Sequence, residues 1–136
     1  MNIDKFTDEH VLILRAVTDL KALAKDGIGQ NADAIAKSIV RMSSSIKLHL
    51  AAEDRYVYPT LANSSDPAIA KLGTQFQQEM GGIAAAYVEF AGKWNTAPNV
   101  AADPEGFKDH ANAIFKALHE RIQRENKELY PLAANA

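Results

Sequence analysis

The sequence contains no cysteine among its 136 residues. This absence excludes disulfide frameworks, thiol catalysis, iron–sulfur clusters and cysteine-ligated zinc. The sequence also has no excess of positive charge, because it contains 15 lysines and arginines and 17 acidic residues, which give a formal net charge of −2. A nucleic-acid-binding surface, which needs a basic stripe, is therefore not expected. No apolar run approaches the ~20 residues of a membrane span, and the first residues lack the apolar core of a signal peptide. We expect one soluble, cytoplasmic domain over residues 1–136.

Strand patterns are missing as well, because no segment alternates apolar and polar residues at period two. Apolar residues instead recur every three or four positions in four successive segments, which is the period of helices with one buried face. Asp66 and Asp103 each precede a proline as capping residues, and Asn31 is a suitable cap for the second segment. Since the connections are short, we predict an all-α fold, an antiparallel up-down-up-down four-helix bundle of two pseudo-symmetric helical hairpins.

An internal repeat relates the two halves of the chain. The motif F-x-x-E-H of the first segment returns in the third segment as F-x-x-E-M, so that Phe6, Glu9 and His10 correspond to Phe76, Glu79 and Met80. The motif H-x-x-x-E-x-x-x-x-Y-P of the second segment returns in the fourth as R-x-x-x-E-x-x-x-x-Y-P, so that His49, Glu53 and Tyr58 correspond to Arg121, Glu125 and Tyr130. Such a repeat places corresponding positions near one level of the bundle.

Several of these positions are polar although they continue the apolar faces of their helices. A carboxylate buried alone is very costly, so it must be paired or bind a metal. His49 and Glu53 stand at i and i+4 and therefore point the same way. Imidazole and carboxylate ligands from facing helices suit iron, zinc or manganese. The candidate metal ligands are His10, His49, Glu53 and Glu125, and a buried polar network without metal is the alternative.

These motifs resemble the hemerythrin-like family of His-His-Glu cation-binding domains over nearly the whole chain. The resemblance implies a four-helix bundle in which histidines of the first two helices serve one metal, those of the last two serve another, and two carboxylates bridge. On that pattern His10, His49, Glu53 and Glu125 are retained. Met80 and Arg121 stand where the family has histidines for the second metal.

The resemblance therefore implies a degenerate site with one metal, non-haem iron first and zinc or manganese next. Arg121 would pair with Glu125 or Glu53 and supply the positive charge of the missing second metal. We expect Glu79, Tyr58 and Tyr130 to support the site by hydrogen bonds or to pack around it. The implied role is sensing, storage or stress response, with a metal ion and a diatomic gas as partners, in place of two-iron oxygen carriage.

Three other interpretations remain open at this point. The bundle could be metal-free and act through protein contacts, or extra ligands such as Glu79 could complete a two-iron site that binds oxygen or nitric oxide. An enzyme is the third, with metal-assisted peroxide or oxygen chemistry. The sequence favours a protein that is not an enzyme, since it has no nucleotide-binding glycine loop and no complete zincin motif.

Overall fold

The computed structural model of the protein describes residues 1–136 and is helical almost throughout, without strands, as predicted. Seven α-helices and two π-helical turns follow one another along the chain: α1 (Asp4–Gly27), α2 (Ala32–Ala52), a first π-turn (Glu53–Val57), α3 (Tyr58–Ala62), α4 (Pro67–Trp94), α5 (Ala97–Ala102), α6 (Pro104–Arg124), a second π-turn (Glu125–Leu129) and α7 (Tyr130–Ala134). None of the helices combines the length and the apolarity that a membrane crossing requires.

Two of the three predicted helix caps form. The side chain of Asp66 accepts a hydrogen bond from the backbone N–H of Ala68 at 2.9 Å, and that of Asp103 accepts one from Gly106 at 2.9 Å. Asn31 precedes α2 but does not cap it, so this prediction was wrong. Its amide donates instead to carbonyls at the end of α1, where Gly27 adopts a positive φ of 141°. The amide is thus turned back towards α1, and its oxygen accepts no hydrogen bond from the first turn of α2.

The segment between the third and fourth long helices was expected to be a connection only. It contains the short helix α5, which starts with Pro98 in its first turn and buries the side chain of Val100 against the main core. Val100 is the only large apolar side chain among its six residues, so the apolar pattern has no periodicity from which the helix could be recognised.

Two five-residue π-turns continue α2 and α6, and they begin at the equivalent residues Glu53 and Glu125. In an α-helix a residue five positions later is rotated by about 140° from the first. In a π-turn, where backbone hydrogen bonds join residues five positions apart, the two residues lie on nearly the same face of the helix. Tyr58 and Tyr130, each five positions after a glutamate, therefore point inward with it, and both are buried.

The buried apolar residues form two clusters. The larger contains 18 buried residues, among them Ile35, Ile39 and Trp94, and the smaller contains nine, centred on Phe76, Tyr58 and Tyr130. The buried polar side chains are His10, His49, Glu53, Arg121 and Glu125, each at most 3% exposed. These five side chains need polar partners or a ligand because burial removes their hydration.

Candidate metal centre

The four candidate ligands come from four separate helical elements and meet at one point. His10 lies in the first half of α1, His49 lies in the last turn of α2, and Glu53 and Glu125 open the two π-turns. One ligand atom from each residue can be chosen so that all four atoms lie within 4.8 Å of one another. The repeat thus brings together the positions that the sequence singled out.

Both imidazoles are oriented by hydrogen bonds at Nδ1. The Nδ1 of His49 lies 2.9 Å from a carboxylate oxygen of Glu9, and the Nδ1 of His10 lies 2.8 Å from the amide oxygen of Asn126. Since both partners are acceptors, each Nδ1 carries a hydrogen and donates it. In the neutral ring the lone pair is then on Nε2, which faces the centre of the cluster. Partners of this kind are typical of metal-binding histidines.

The remaining atoms of the cluster fit a cation. Nε2 of His10 lies 3.0 Å from Oε1 of Glu125, and Nε2 of His49 lies 3.1 Å from Oε1 of Glu53. Oε1 of Glu53 is fully buried and receives no hydrogen bond of acceptable geometry, although His49 is close by. An unpartnered buried carboxylate oxygen costs free energy that a metal ion would recover. Two imidazoles and two carboxylates are a donor set for iron, zinc or manganese.

A cavity of about 20 Å³ lies among these side chains, with Ile13, Ile46, Leu118 and Ile122 in its apolar wall. Met80, the counterpart of His10 in the repeat, lines the same cavity and is 7% exposed. Its thioether is a soft and weak donor that fills space in the core. The structure therefore places Met80 beside the cluster, where it closes the wall of the cavity.

Arg121 is buried next to the cluster and pairs with Glu125, one of the two partners expected for it. Its Nε donates to Oε2 of Glu125 at 3.3 Å, and its Nη2 donates to the carbonyl of Phe76 at 2.6 Å. The same Nη2 lies 3.2 Å from the hydroxyl of Tyr58, and the guanidinium stands 4.4 Å from the centroid of the Phe76 ring. Glu125 therefore presents one oxygen to the histidine side and the other to a fixed cation.

The contacts of the two halves follow the repeat. Glu9 accepts from His49, and its counterpart Glu79 accepts from Arg121 Nη1 at 3.3 Å, while Arg124 also reaches Glu79 at 2.8 Å. Glu79 is half exposed and turned towards these two arginines. Extra ligation by Glu79, which one of the alternatives required, is not the arrangement observed.

Each of the two tyrosines donates a hydrogen bond to the glutamate of the other half of the chain. Tyr130, from the second half, donates to Oε2 of Glu53 at 3.0 Å, and Tyr58, from the first half, donates to Oε2 of Glu125 at 3.3 Å. Burial raises the pKa of both tyrosines well above the usual range, and the charges of the two glutamates raise it further. In the absence of a metal both hydroxyls are therefore protonated donors.

The two glutamates titrate differently. Burial raises the pKa of Glu53 to about 7, and the nearby charge of Glu125 adds to the increase although His49 opposes it. Burial also disfavours the charged form of Glu125, but its hydrogen-bonded contacts with His10 and Glu53 and the charge of Arg121 outweigh it and lower its pKa. Burial alone would lower the pKa of His49, yet Glu53 and Glu9 outweigh it and raise the pKa above its ordinary value. Without metal, the His49–Glu53 pair therefore retains protons near neutral pH.

Sequence reasoning did not identify Glu9 and Asn126 as the partners of the two imidazoles. The signal for Glu9 was its correspondence to Glu79 in the repeat, whereas Asn126 offered only its position directly after Glu125. The other two histidines stand apart from the cluster. His110 accepts a hydrogen bond from the indole of Trp94 at 2.9 Å, and His119 is exposed.

Comparisons with known proteins address the family directly. A search of curated proteins and a search of solved structures each returned no match. The family model described as "Hemerythrin HHE cation binding domain" matches residues 1–133, which is almost the entire chain. With the His/Glu cluster in the interior of its helical fold, the chain belongs to the hemerythrin HHE cation-binding family.

Proposed function

We propose that the protein binds one metal ion through His10, His49, Glu53 and Glu125. The observation that carries the proposal is the convergence of these four donors within 4.8 Å, one of them a buried carboxylate oxygen without a hydrogen bond. Ligand atoms around a metal with bonds of about 2.1 Å stand roughly 3 to 4 Å apart. The most widely separated of the four donors would therefore have to approach one another by at most about 1–2 Å to bind one ion.

The proposal includes the absence of a second metal. A second cation would need the space and the Glu125 oxygen that the Arg121 guanidinium already uses. It would also lack imidazole ligands, since Met80 and Arg121 occupy those places in the repeat. Two-iron oxygen carriage is therefore not the function that we propose, and iron sensing, iron storage or a stress response is.

Iron is the metal we propose first, because membership of the hemerythrin family favours it and a donor set of two nitrogens and two carboxylates suits it. Zinc and manganese accept the same donors, and availability in the cell decides among metals of similar affinity. Iron would supply a redox-active cation to which a diatomic gas can bind. The side chains here hold and orient the ligands, exclude water and compensate charge, and none of them is a nucleophile poised for catalysis.

The fold that we propose for this function is one domain with up-down-up-down topology. His10, early in the first long helix, meets Glu53 and Glu125 at the far ends of the second and fourth long helices. Antiparallel neighbours with short connections bring together residues in this way.

Metal analysis of the purified protein tests the proposal. We expect close to one equivalent of metal per chain, and we expect His49→Ala to lose it. His119→Ala is the matched control, because that histidine is exposed and away from the cluster; it should keep the full equivalent. Two equivalents in the wild type, or full loading of the His10→Ala/His49→Ala double variant, would refute the one-metal site.

A metal-free bundle that acts through protein contacts is the second candidate. It is favoured by the near completeness of the hydrogen-bond network, in which Glu53 Oε1 is the only buried side-chain polar atom without a partner. Under this alternative the wild type would remain metal-free after incubation with Fe(II), Zn(II) and Mn(II) in turn, and its thermal stability would not respond to any of them.

A further inference from the structure

The hydroxyl of Tyr130 lies among the metal-facing atoms of the candidate site. It stands 3.0 Å from Nε2 of His10, 3.4 Å from Nε2 of His49 and 3.0 Å from Oε2 of Glu53. A phenol has one hydrogen, so it can donate to only one of these three acceptors. The hydrogen bond to Glu53 leaves the hydroxyl oxygen close to two imidazole nitrogens whose lone pairs point into the same space.

These separations equal those between neighbouring ligands of one metal ion. With bonds of about 2.1 Å, adjacent ligand atoms are roughly 3.0 Å apart in octahedral geometry and about 3.4 Å apart in tetrahedral geometry. The Tyr130 ring is held in place by the His10 ring, with the centroids 5.0 Å apart and the planes inclined by 20°. The hydroxyl is thus fixed at ligand spacing from both imidazoles.

The charge balance of the buried cluster also favours a negatively charged ligand at the Tyr130 hydroxyl. The buried cluster contains two glutamates and one arginine, which together carry one negative charge when both carboxylates are ionised. A divalent cation would leave one uncompensated positive charge in the interior, where charges are costly unless paired. A phenolate would neutralise it.

Tyr58, the counterpart of Tyr130 in the repeat, is not placed in this way. Its hydroxyl accepts from Arg121 Nη2 at 3.2 Å and donates to Glu125 Oε2 at 3.3 Å. Its oxygen is therefore used by the guanidinium, whereas that of Tyr130 faces Nε2 of both imidazoles. The two tyrosines form a natural pair of test residue and control.

We propose that Tyr130 is a fifth ligand of the metal and binds as a phenolate. This inference rests on the one-metal site proposed above and extends it to the first residue of α7. On binding, the metal replaces the phenolic hydrogen, and the proton is released to solvent, as happens when other protonated ligands bind metals.

Ultraviolet difference spectroscopy at neutral pH tests the proposal. Zn(II) is added to the metal-free protein, and the absorption of ionised tyrosine is followed together with bound metal. We expect about one ionised tyrosine per bound metal in the wild type and in Tyr58→Phe, and none in Tyr130→Phe. Iron gives a second readout: protein loaded with Fe(II) and oxidised to Fe(III) by ferricyanide should show the visible charge-transfer band of a ferric phenolate, again absent only in Tyr130→Phe.

The outcomes separate the two proposals. A wild type that binds no metal overturns the one-metal function and this inference with it. A wild type that binds one zinc without ionising a tyrosine overturns only the inference and leaves Tyr130 as a hydrogen-bond donor to Glu53. Loss of the ionised-tyrosine signal in Tyr58→Phe, with its retention in Tyr130→Phe, also overturns it. Because the first reading is made on the wild type, the test does not depend on the folding of either variant.

Discussion

Replacement of Arg121 by methionine tests whether a guanidinium compensates the buried glutamates. The substitution keeps an unbranched side chain of similar length and removes the charge and the donors to Glu125, Tyr58 and the Phe76 carbonyl. Oε2 of Glu125 then lies in the interior with only the Tyr58 hydroxyl as a donor. Breaking a buried pair by removal of one partner costs about 3–5 kcal/mol, out of a total stability of roughly 5–15 kcal/mol.

Thermal unfolding of the metal-free protein measures this cost. A loss of 1 kcal/mol lowers Tm by about 4 °C in a domain of this size, so the variant should melt roughly 12–20 °C below the wild type. The matched control is Arg124→Met. Arg124 also pairs with Glu79 and stands 4.7 Å from the centroid of the Phe76 ring, but its side chain is 48% exposed. Exposed pairs contribute about 0–1 kcal/mol, so the control should change Tm by at most about 4 °C.

Two results would contradict this reasoning. Equal Tm losses for Arg121→Met and Arg124→Met would show that burial of the Arg121 pair is not the source of the stability. The second result concerns the Tm difference between variant and wild type in the presence of metal. Saturation with metal should narrow the gap between Arg121→Met and wild type, because a cation at Oε1 of Glu125 supplies part of the charge removed. A gap that widens with metal would mean that the guanidinium and the metal do not share this carboxylate.

Two further predictions concern the histidine partners and pH. Glu9→Gln should weaken metal affinity about 10- to 100-fold, because a neutral amide polarises the His49 ring less than the carboxylate does, and competition with a chelator should show no such change for the exposed Asp8→Asn. The pKa of Glu53 is raised from 4.5 to about 7, so the folded metal-free protein binds its proton more tightly than the unfolded chain does, and stability should fall as pH rises from about 4.5 through 7. The raised pKa of His49 also makes stability fall as pH rises. Glu53→Gln should remove the part of this loss of stability that comes from the glutamate. A Tm of the metal-free wild type that stays constant or rises over this pH range would contradict the raised pKa of Glu53.

The helical architecture could be predicted because its cause is local and repetitive. Apolar residues such as Ile35, Ile39, Met42 and Ile46 recur at the helical period, and all four are buried. The aspartate–proline pairs mark two helix starts for reasons that involve only neighbouring residues. The repeat then selected the inward polar positions, since corresponding residues of two similar hairpins must lie at similar depth.

The partners of those polar residues could not be predicted in the same way. Asn126 reaches His10 across the bundle, and the distance between them depends on how α1 packs against the second π-turn. The partner of the Arg121 side chain also depends on tertiary packing, because Glu53 and Glu125 were both acceptable partners by charge. The structure selects Glu125, four residues along the same helix, and adds a backbone carbonyl of α4.

The two π-turns could not be predicted from α-helical periodicity. Without them, the two tyrosines could be interpreted as ordinary residues at helix ends. Five residues after an inward glutamate, an α-helix would turn Tyr58 and Tyr130 away by about 140°. The wider turn costs regular α-helical hydrogen bonding and is commonly found at functional sites. In this protein it occurs twice, and each copy delivers a phenol to the glutamate of the other half.

The two halves thus contain the same π-turn, but the side chains that surround it differ. On one side Tyr58 and Glu125 meet a covalently attached guanidinium, so that half is complete as soon as the chain folds. On the other side Tyr130 and Glu53 meet two imidazoles, and Oε1 of Glu53 has no hydrogen-bond partner. Under the one-metal proposal, the guanidinium makes the Glu125 half independent of metal supply and leaves the Glu53 half as the part whose stability and charge would respond to a metal ion.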